Sequence, residues 1–236
     1  MLIAPDKFKG TLSARQVAEA LGVGFFPTTN VTSMPLADGG DGSIEAIVAA
    51  GFEVIALDPS IASATPEPAR MARRDDVFFI EAAELCGLRN VQGPLEPLTA
   101  HSLDVGLAVR EALDLGARTI VLGVGGTAST DGGVGFLIGL GAKFTTETGD
   151  PVALGGGGLF LLSSADFSGL DPRIAQTKFV LASDVDSPLL GPAGAAKLFS
   201  PQKGADRLQV EVLDLGLNRL AKVLKKGSRP WAERTR

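Results

Sequence analysis

Short apolar runs in this chain end in loops of glycine and aspartate, and after each loop the apolar positions change to a helical period. Leu2-Ile3-Ala4 reads as a strand entering the loop Pro5-Asp6-Lys7-Phe8-Lys9-Gly10-Thr11-Leu12. Ser13 stands where a helix needs its N-cap, with Gln16 three residues on in capping-box spacing and Val17, Ala18 and Leu21 along one helical face. A second unit repeats this order. Ser33-Met34-Pro35-Leu36-Ala37 leads into Asp38-Gly39-Gly40-Asp41-Gly42, Ser43 is placed to cap a helix, and Ile44, Ile47 and Val48 recur at i, i+3 and i+4 before Gly51 stops it.

Residues 53–57 and 77–80 read as strands, and Pro59, Pro66 and Pro68 between them form a linker-like stretch that predicts a change of domain. Residues 103–115 read as a helix ending at Gly116. A buried strand over 118–124 then feeds the loop Gly125-Gly126-Thr127-Ala128-Ser129-Thr130-Asp131-Gly132-Gly133. A further strand over 178–182 runs into Ser183-Asp184-Val185-Asp186-Ser187-Pro188. Strands alternating with helices predict an α/β architecture with largely parallel sheets. In such folds ligands bind at the carboxyl ends of the strands, where these loops lie.

Composition narrows the function classes. The chain has 236 residues, 45 % hydrophobic and 21 % charged, which fits a soluble globular protein of one or two domains. A single cysteine, Cys86, excludes an intramolecular disulfide and a multi-cysteine zinc site, and it is expected in the core. No apolar run reaches about 18 residues and no leader pattern opens the chain, so the cytoplasm is the expected compartment and no membrane partner is expected. The net charge of −5 hides an uneven distribution: from Lys222 to Arg236 six basic residues face only Glu233, so the body is the more acidic part. An acidic body argues against nucleic acid as a partner, and the basic end reads as a solvated tail.

Thirty glycines, roughly twice the average usage of about 7 %, concentrate in the loops and set the candidate chemistry. A glycine loop leaving a strand lets backbone N–H groups approach an anion, and Thr127, Ser129 and Thr130 add hydroxyls; tight turns and close packing alone would also account for the glycines. No Walker-type P-loop is present. Gly123-Val124-Gly125-Gly126-Thr127-Ala128 satisfies the degenerate dinucleotide fingerprint, which keeps an NAD(P)-dependent oxidoreductase as an alternative. Carboxylates in the same loops, Asp38, Asp41, Asp131, Asp184 and Asp186, make sense together where a magnesium ion or a substrate hydroxyl shares the site, although each alone also suits a turn. Lys7, Lys9 and Lys203 are candidates for pairing with anions, and His101, the only histidine, excludes a His-ligated metal cluster.

Read in order, these loops resemble the bacterial glycerate kinase family of the type without a P-loop. The matching stretches are Ala4-Pro5-Asp6-Lys7-Phe8-Lys9-Gly10-Thr11-Leu12-Ser13-Ala14, Pro35-Leu36-Ala37-Asp38-Gly39-Gly40-Asp41-Gly42, the loop from Gly123 to Gly133, and Ala182-Ser183-Asp184-Val185-Asp186-Ser187-Pro188 with Phe199-Ser200-Pro201-Gln202-Lys203-Gly204-Ala205. The resemblance implies two α/β lobes, one Rossmann-like, with the site in the cleft between them. Residues 1–52 would begin the Rossmann-like lobe, 53–224 would form the second lobe, and 225–236 would be a basic tail outside the resemblance. It implies transfer of the ATP γ-phosphoryl group to D-glycerate with Mg²⁺, giving 2-phosphoglycerate or the 3-isomer. Asp38, Asp184 and Lys9 would be catalytic. Lys7, Gly39, Gly40, Gly125, Gly126, Thr127, Ser129, Thr130, Asp131 and Lys203 would bind substrate and phosphates, and Asp184 and Asp186 would hold the metal. Two departures stand out. Ser102-Leu103-Asp104-Val105-Gly106 replaces the family's Ser-Tyr-Gly-x-Gly, and no Gly-Glu-Gly motif follows residue 215. The expectation is therefore a C-terminally shortened member, with a non-catalytic protein that binds nucleotide or sugar acid as the alternative and a homodimer left open.

Overall fold

The computed structural model describes residues 1–8, 11–25, 30–62 and 68–227. Its centre is a five-stranded mixed sheet. Strands β1 (Leu2–Ile3) and β2 (Thr32–Ser33) form a separate parallel pair, linked by helix α1 (Ala14–Val23). The expected capping box closes α1: the Ser13 hydroxyl accepts from the Gln16 N–H at 3.2 Å and the Gln16 side chain accepts from the Ser13 N–H at 2.9 Å. Helix α2 (Ser43–Ala49) follows, and Gly51 turns the chain at φ +92°.

The large sheet has the order β3 (Glu53–Ala56), β4 (Arg70–Arg74), β5 (Val77–Glu81), β6 (Thr119–Gly123), and β9 (Lys178–Ala182); β7 (Lys143–Thr145) and β8 (Ser164–Asp166) form a separate antiparallel pair. The β3–β4 and β4–β5 pairs are antiparallel, whereas β5–β6 and β6–β9 are parallel. The proline stretch therefore does not separate two domains, because β3 and β4 on either side of it pair in one sheet; residues 63–67 themselves lie outside the described residues. The sheet is also less parallel than its sequence implied, since β4 carries three arginines and gives no apolar run.

Alternation along the strands sorts the core onto two faces. Phe78, Ile80 and Ile120 on one face pack with Val105, Ala108, Val109 and Ala112 of helix α4 (Leu103–Asp114). Phe79 and Ala72 on the other face pack with Ile44 of α2. Short helices α3 (Ala82–Cys86), α5 (Val134–Gly139) and α6 (Ala195–Phe199) lead to α7 (Arg207–Gly227). Leu213, Leu217 and Leu220, at helical spacing on α7, close a second core with Val134, Leu159 and Leu162. Asp206 and Gln209 start α7 with reciprocal bonds of 2.9 and 2.8 Å, and the helix continues past residue 224, where the second lobe was expected to end.

Candidate active site

The carboxyl ends of β6 and β9 bring three of the predicted loops into backbone contact. The Gly125 N–H donates to the Gly39 carbonyl at 3.1 Å, and the Val124 N–H donates to the Ala182 carbonyl at 3.3 Å. Only glycine fits this crossing. A Cβ on Gly39, whose φ is +81°, would lie 2.4 Å from the Ala182 oxygen, and one on Gly125 would lie 2.7 Å from the Gly40 Cα. The glycine excess thus holds the Asp38–Gly42 loop against the loop over 124–131 and the end of β9, from which Asp184 and Asp186 project.

Asp38 is half-buried. Its Oδ1 accepts from the Gly40 N–H at 2.8 Å and from the Lys7 ammonium at 3.4 Å, and Lys7 also donates to the Asp41 carbonyl. Burial works to raise the Asp38 pKa, but the Gly40 N–H and the Lys7 charge outweigh it and hold the carboxyl below its ordinary value. Asp38 is therefore an ionised acceptor at neutral pH, with Oδ2 lacking a partner among the described residues. Lys9 lies outside the described residues.

On the facing side Lys203, on a 3₁₀ turn over Pro201–Lys203, reaches under the glycine loop and donates to the Ser129 carbonyl at 2.5 Å and to Thr127 Oγ1 at 3.4 Å. Burial pulls its pKa below the ordinary lysine value, and among the described residues no carboxylate comes within 4.0 Å of it. A lysine has three donors, so the third stays open to an anion. In the loop itself the Ala128 N–H is engaged with the Cys86 carbonyl and the Gly125 N–H with Gly39. Gly126, Thr127, Ser129 and Thr130 keep backbone N–H groups without a partner among the described residues.

Other predicted site residues are placed differently. Asp131 is buried, and its carboxylate accepts from the Ser102 N–H (2.9 Å), the Ser102 hydroxyl (2.8 Å), the Gly133 N–H (3.1 Å) and the Gly135 N–H (3.1 Å). It ties the loop to the starts of α4 and α5. The Thr130 hydroxyl is buried too, without a partner among the described residues. Asp184 and Asp186 are exposed, and no group of three or more His, Cys, Asp or Glu among the described residues forms a metal cage. Two carboxylates still fit Mg²⁺, which binds through one or two of them together with substrate phosphates. The dinucleotide fingerprint fails its structural test, because α5 begins at Val134, six residues beyond Ala128. His101 accepts from the Leu103 N–H at 3.4 Å beside α4, and burial pushes the Cys86 thiol up to about 12.

Sequence reading missed one group. Ser43 does not cap α2: Gly42 holds the cap position at φ +86° without a side-chain bond, and the Ser43 hydroxyl donates to the Gly40 carbonyl at 2.6 Å. The cap comes instead from Glu81 at the end of β5, whose two oxygens accept from the Gly42 and Ile44 N–H groups at 3.0 Å each. Glu81 follows an apolar strand and carries no loop signal, so nothing local points to it.

Glycine loops that cross at the strand ends, with half-buried lysines and an ionised aspartate beside them, define an α/β protein with a candidate anion site. The profile of the glycerate kinase family matches residues 1–234, and the chain belongs to that family. The match includes residues 225–234, for which no resemblance was expected. The chain is 39 % identical over 233 residues to the glycerate 2-kinase of Escherichia coli (strain K12) and 38 % identical over 236 residues to the glycerate kinase of Bacillus subtilis (strain 168), covering 96 % of this chain in both cases. It spans 61 % of the length of these curated relatives. The crystal structure described as glycerate kinase 2 from Salmonella typhimurium LT2 superposes with a TM-score of 0.82 at 38 % identity, covering 95 % of this chain and 63 % of that one.

Proposed function

We propose that the chain carries a glycerate kinase site that transfers the γ-phosphoryl group of ATP to a hydroxyl of D-glycerate in the cytoplasm, giving 2-phosphoglycerate. The observation that supports this reading is the crossing of the Asp38–Gly42 loop, which carries an ionised carboxylate, with the loop over 124–131, which has N–H groups without a partner among the described residues and is bonded by the half-buried Lys203. In the reaction the glycerate oxygen forms a bond to the γ-phosphorus as the bond to the β-bridging oxygen breaks, ADP leaves, and the hydroxyl proton passes to Asp38. Lys7 holds Asp38 in its orientation. Lys203 and the N–H groups of Gly126, Thr127, Ser129 and Thr130 face the developing phosphate charge. Asp184 and Asp186 would hold Mg²⁺ with the nucleotide phosphates, and the ion would supply charge neutralisation. Asp131 is read as the anchor of the phosphate loop. The division into residues 1–52 and 53–224 belongs to the same reading, supported by the separate β1–β2 sheet.

The test is the chain itself incubated with D-glycerate, ATP and MgCl₂ and followed by phosphorus NMR. The expected result is ADP with a new phosphomonoester resonance, whose position separates the 2-isomer from the 3-isomer. Folded protein without turnover overturns the catalytic reading, and a thermal shift with D-glycerate or ATP in that case identifies a binding protein.

A further inference from the structure

Helix α7 has a second face besides the one in the core. Leu213, Leu217 and Leu220 are buried, and on the opposite side Leu208, Glu211, Leu215, Asn218 and Lys222 recur at alternating spacings of three and four residues. Leu208 is 72 % exposed and Leu215 55 %. Beside them the 3₁₀ turn over Gly158–Leu161 leaves Phe160 49 % exposed, and Phe160, Leu215, Asn218, Arg219 and Lys222 are among the residues lining a groove of about 400 Å³. Charge divides at Leu215. Asp206, Glu211 and Asp214 outweigh Arg207 before it, and Arg219, Lys222 and Lys225 follow it. Such a division suits the helix dipole, but the dipole gives no reason for exposed leucines seven residues apart. Glu211 lies 3.8 Å from Arg207 with both side chains largely in water, and Arg219 gives its Nε–H to the Leu162 carbonyl, its other donors having no partner among the described residues.

The geometry points to this face as a self-association surface, on which two copies of the chain pack α7 antiparallel about a two-fold axis at Leu215. In such a pair, residues equally far before and after Leu215 lie opposite one another. Leu215 then meets Leu215 of the second copy, Glu211 meets Arg219, and Leu208 meets Lys222, whose methylene stem covers it. A two-fold contact makes each unlike pairing twice, so one seam forms two ion pairs. A parallel pair would set Glu211 against Glu211 and Arg219 against Arg219, and charge therefore selects the antiparallel one. From Leu208 to Lys222 the seam is about 21 Å long, and Phe160 of each copy widens it. One helix and its flank give a small interface, so the dimer is a weak one. Because the seam lies across the helix from Leu213, Leu217 and Leu220, association leaves the second core intact, and the proposal does not rest on the functional reading.

The experiment is sedimentation equilibrium of the full chain from about 5 µM to about 200 µM, with a reversible monomer–dimer equilibrium of Kd about 10–50 µM as the expected result. Leu215→Glu puts like charges on the axis and is expected to weaken the dimer by about 100-fold or more. Glu211→Arg and Arg219→Glu are each expected to weaken it about tenfold, and the double variant, which restores both ion pairs in the reversed sense, to return within about threefold of the wild type. Circular dichroism checks that each variant is folded. Should Arg219→Glu unfold through the loss of its bond to Leu162, mixing Leu208→Cys chains with Lys222→Cys chains under air reads the same geometry, and a disulfide between unlike chains is expected. A wild type that sediments as one chain at every concentration overturns the proposal, and so does a dimer that Leu215→Glu leaves unchanged. A double variant no tighter than the single ones, or disulfides between like chains only, overturns the antiparallel seam.

Discussion

The loop from Asp38 to Gly42 and the loop over 125–133 both set aspartate among glycines, but their aspartates differ in surroundings. Asp38 is half-buried, bonded through one oxygen and paired with Lys7. Asp131 is buried, with four donors converging on its carboxylate. A buried carboxylate with donors on both oxygens holds architecture together, and one with an open oxygen is free to accept. Glu81 and Asp131 belong to the first kind, Asp38 and Asp184 to the second.

Replacing one residue of each kind separates the two roles. Asp38→Asn keeps an oxygen for the Gly40 N–H and removes the proposed base, so kcat is expected to fall by roughly 10²–10⁴-fold while unfolding free energy changes by less than about 1 kcal/mol. Asp184→Asn is expected to follow the same pattern, since the side chain is exposed. Unchanged kcat in either variant breaks the comparison. Asp131→Ala should do the reverse. It leaves the Ser102, Gly133 and Gly135 N–H groups without an acceptor, and urea unfolding is expected to show a loss of about 3 kcal/mol or more.

The next effect is steric. Gly125→Ala places a methyl 2.7 Å from the Gly40 Cα, and the two loops must part. A destabilisation of about 1–3 kcal/mol is expected, with weakened D-glycerate binding measured by calorimetry. A variant that binds as tightly as the wild type would show that the crossing does not shape the site.

The parts of this site legible in the sequence are those with local signals. The capping box of α1, the apolar strands β5, β6 and β9, and the stops at Gly51 and Gly116 all follow from neighbouring residues. Strand β4 escaped because its arginines find partners far along the chain: Arg70 pairs with Glu84 and Glu45, and Arg73 and Arg74 stack on Phe78 and Phe52. The same holds for Asp131 and Glu81. Loop composition marked the segments that the fold brings together, but only long-range bonds separate the carboxylate that anchors this loop from the one left open.

The smallest effect is a difference in slope with pH, and it sharpens the comparison between Glu81 and Asp38. The folded-state pKa of Glu81 is raised from 4.5 to about 7, so between these values the folded chain holds a proton that the unfolded chain has released. Its contribution to stability is therefore full below the unfolded value and is lost as pH rises through about 7. Asp38 has the opposite sign: its lowered pKa gives a contribution present above its unfolded value of 3.8 and lost as pH falls. Urea unfolding of the wild type and of Glu81→Gln across this range is expected to show the wild type losing ground to the variant from about pH 4.5 to about pH 7, with parallel curves at higher pH. Parallel curves throughout would mean that Glu81 keeps its charge in the fold, and Arg89, within 3.7 Å of it, would then compensate for its burial completely.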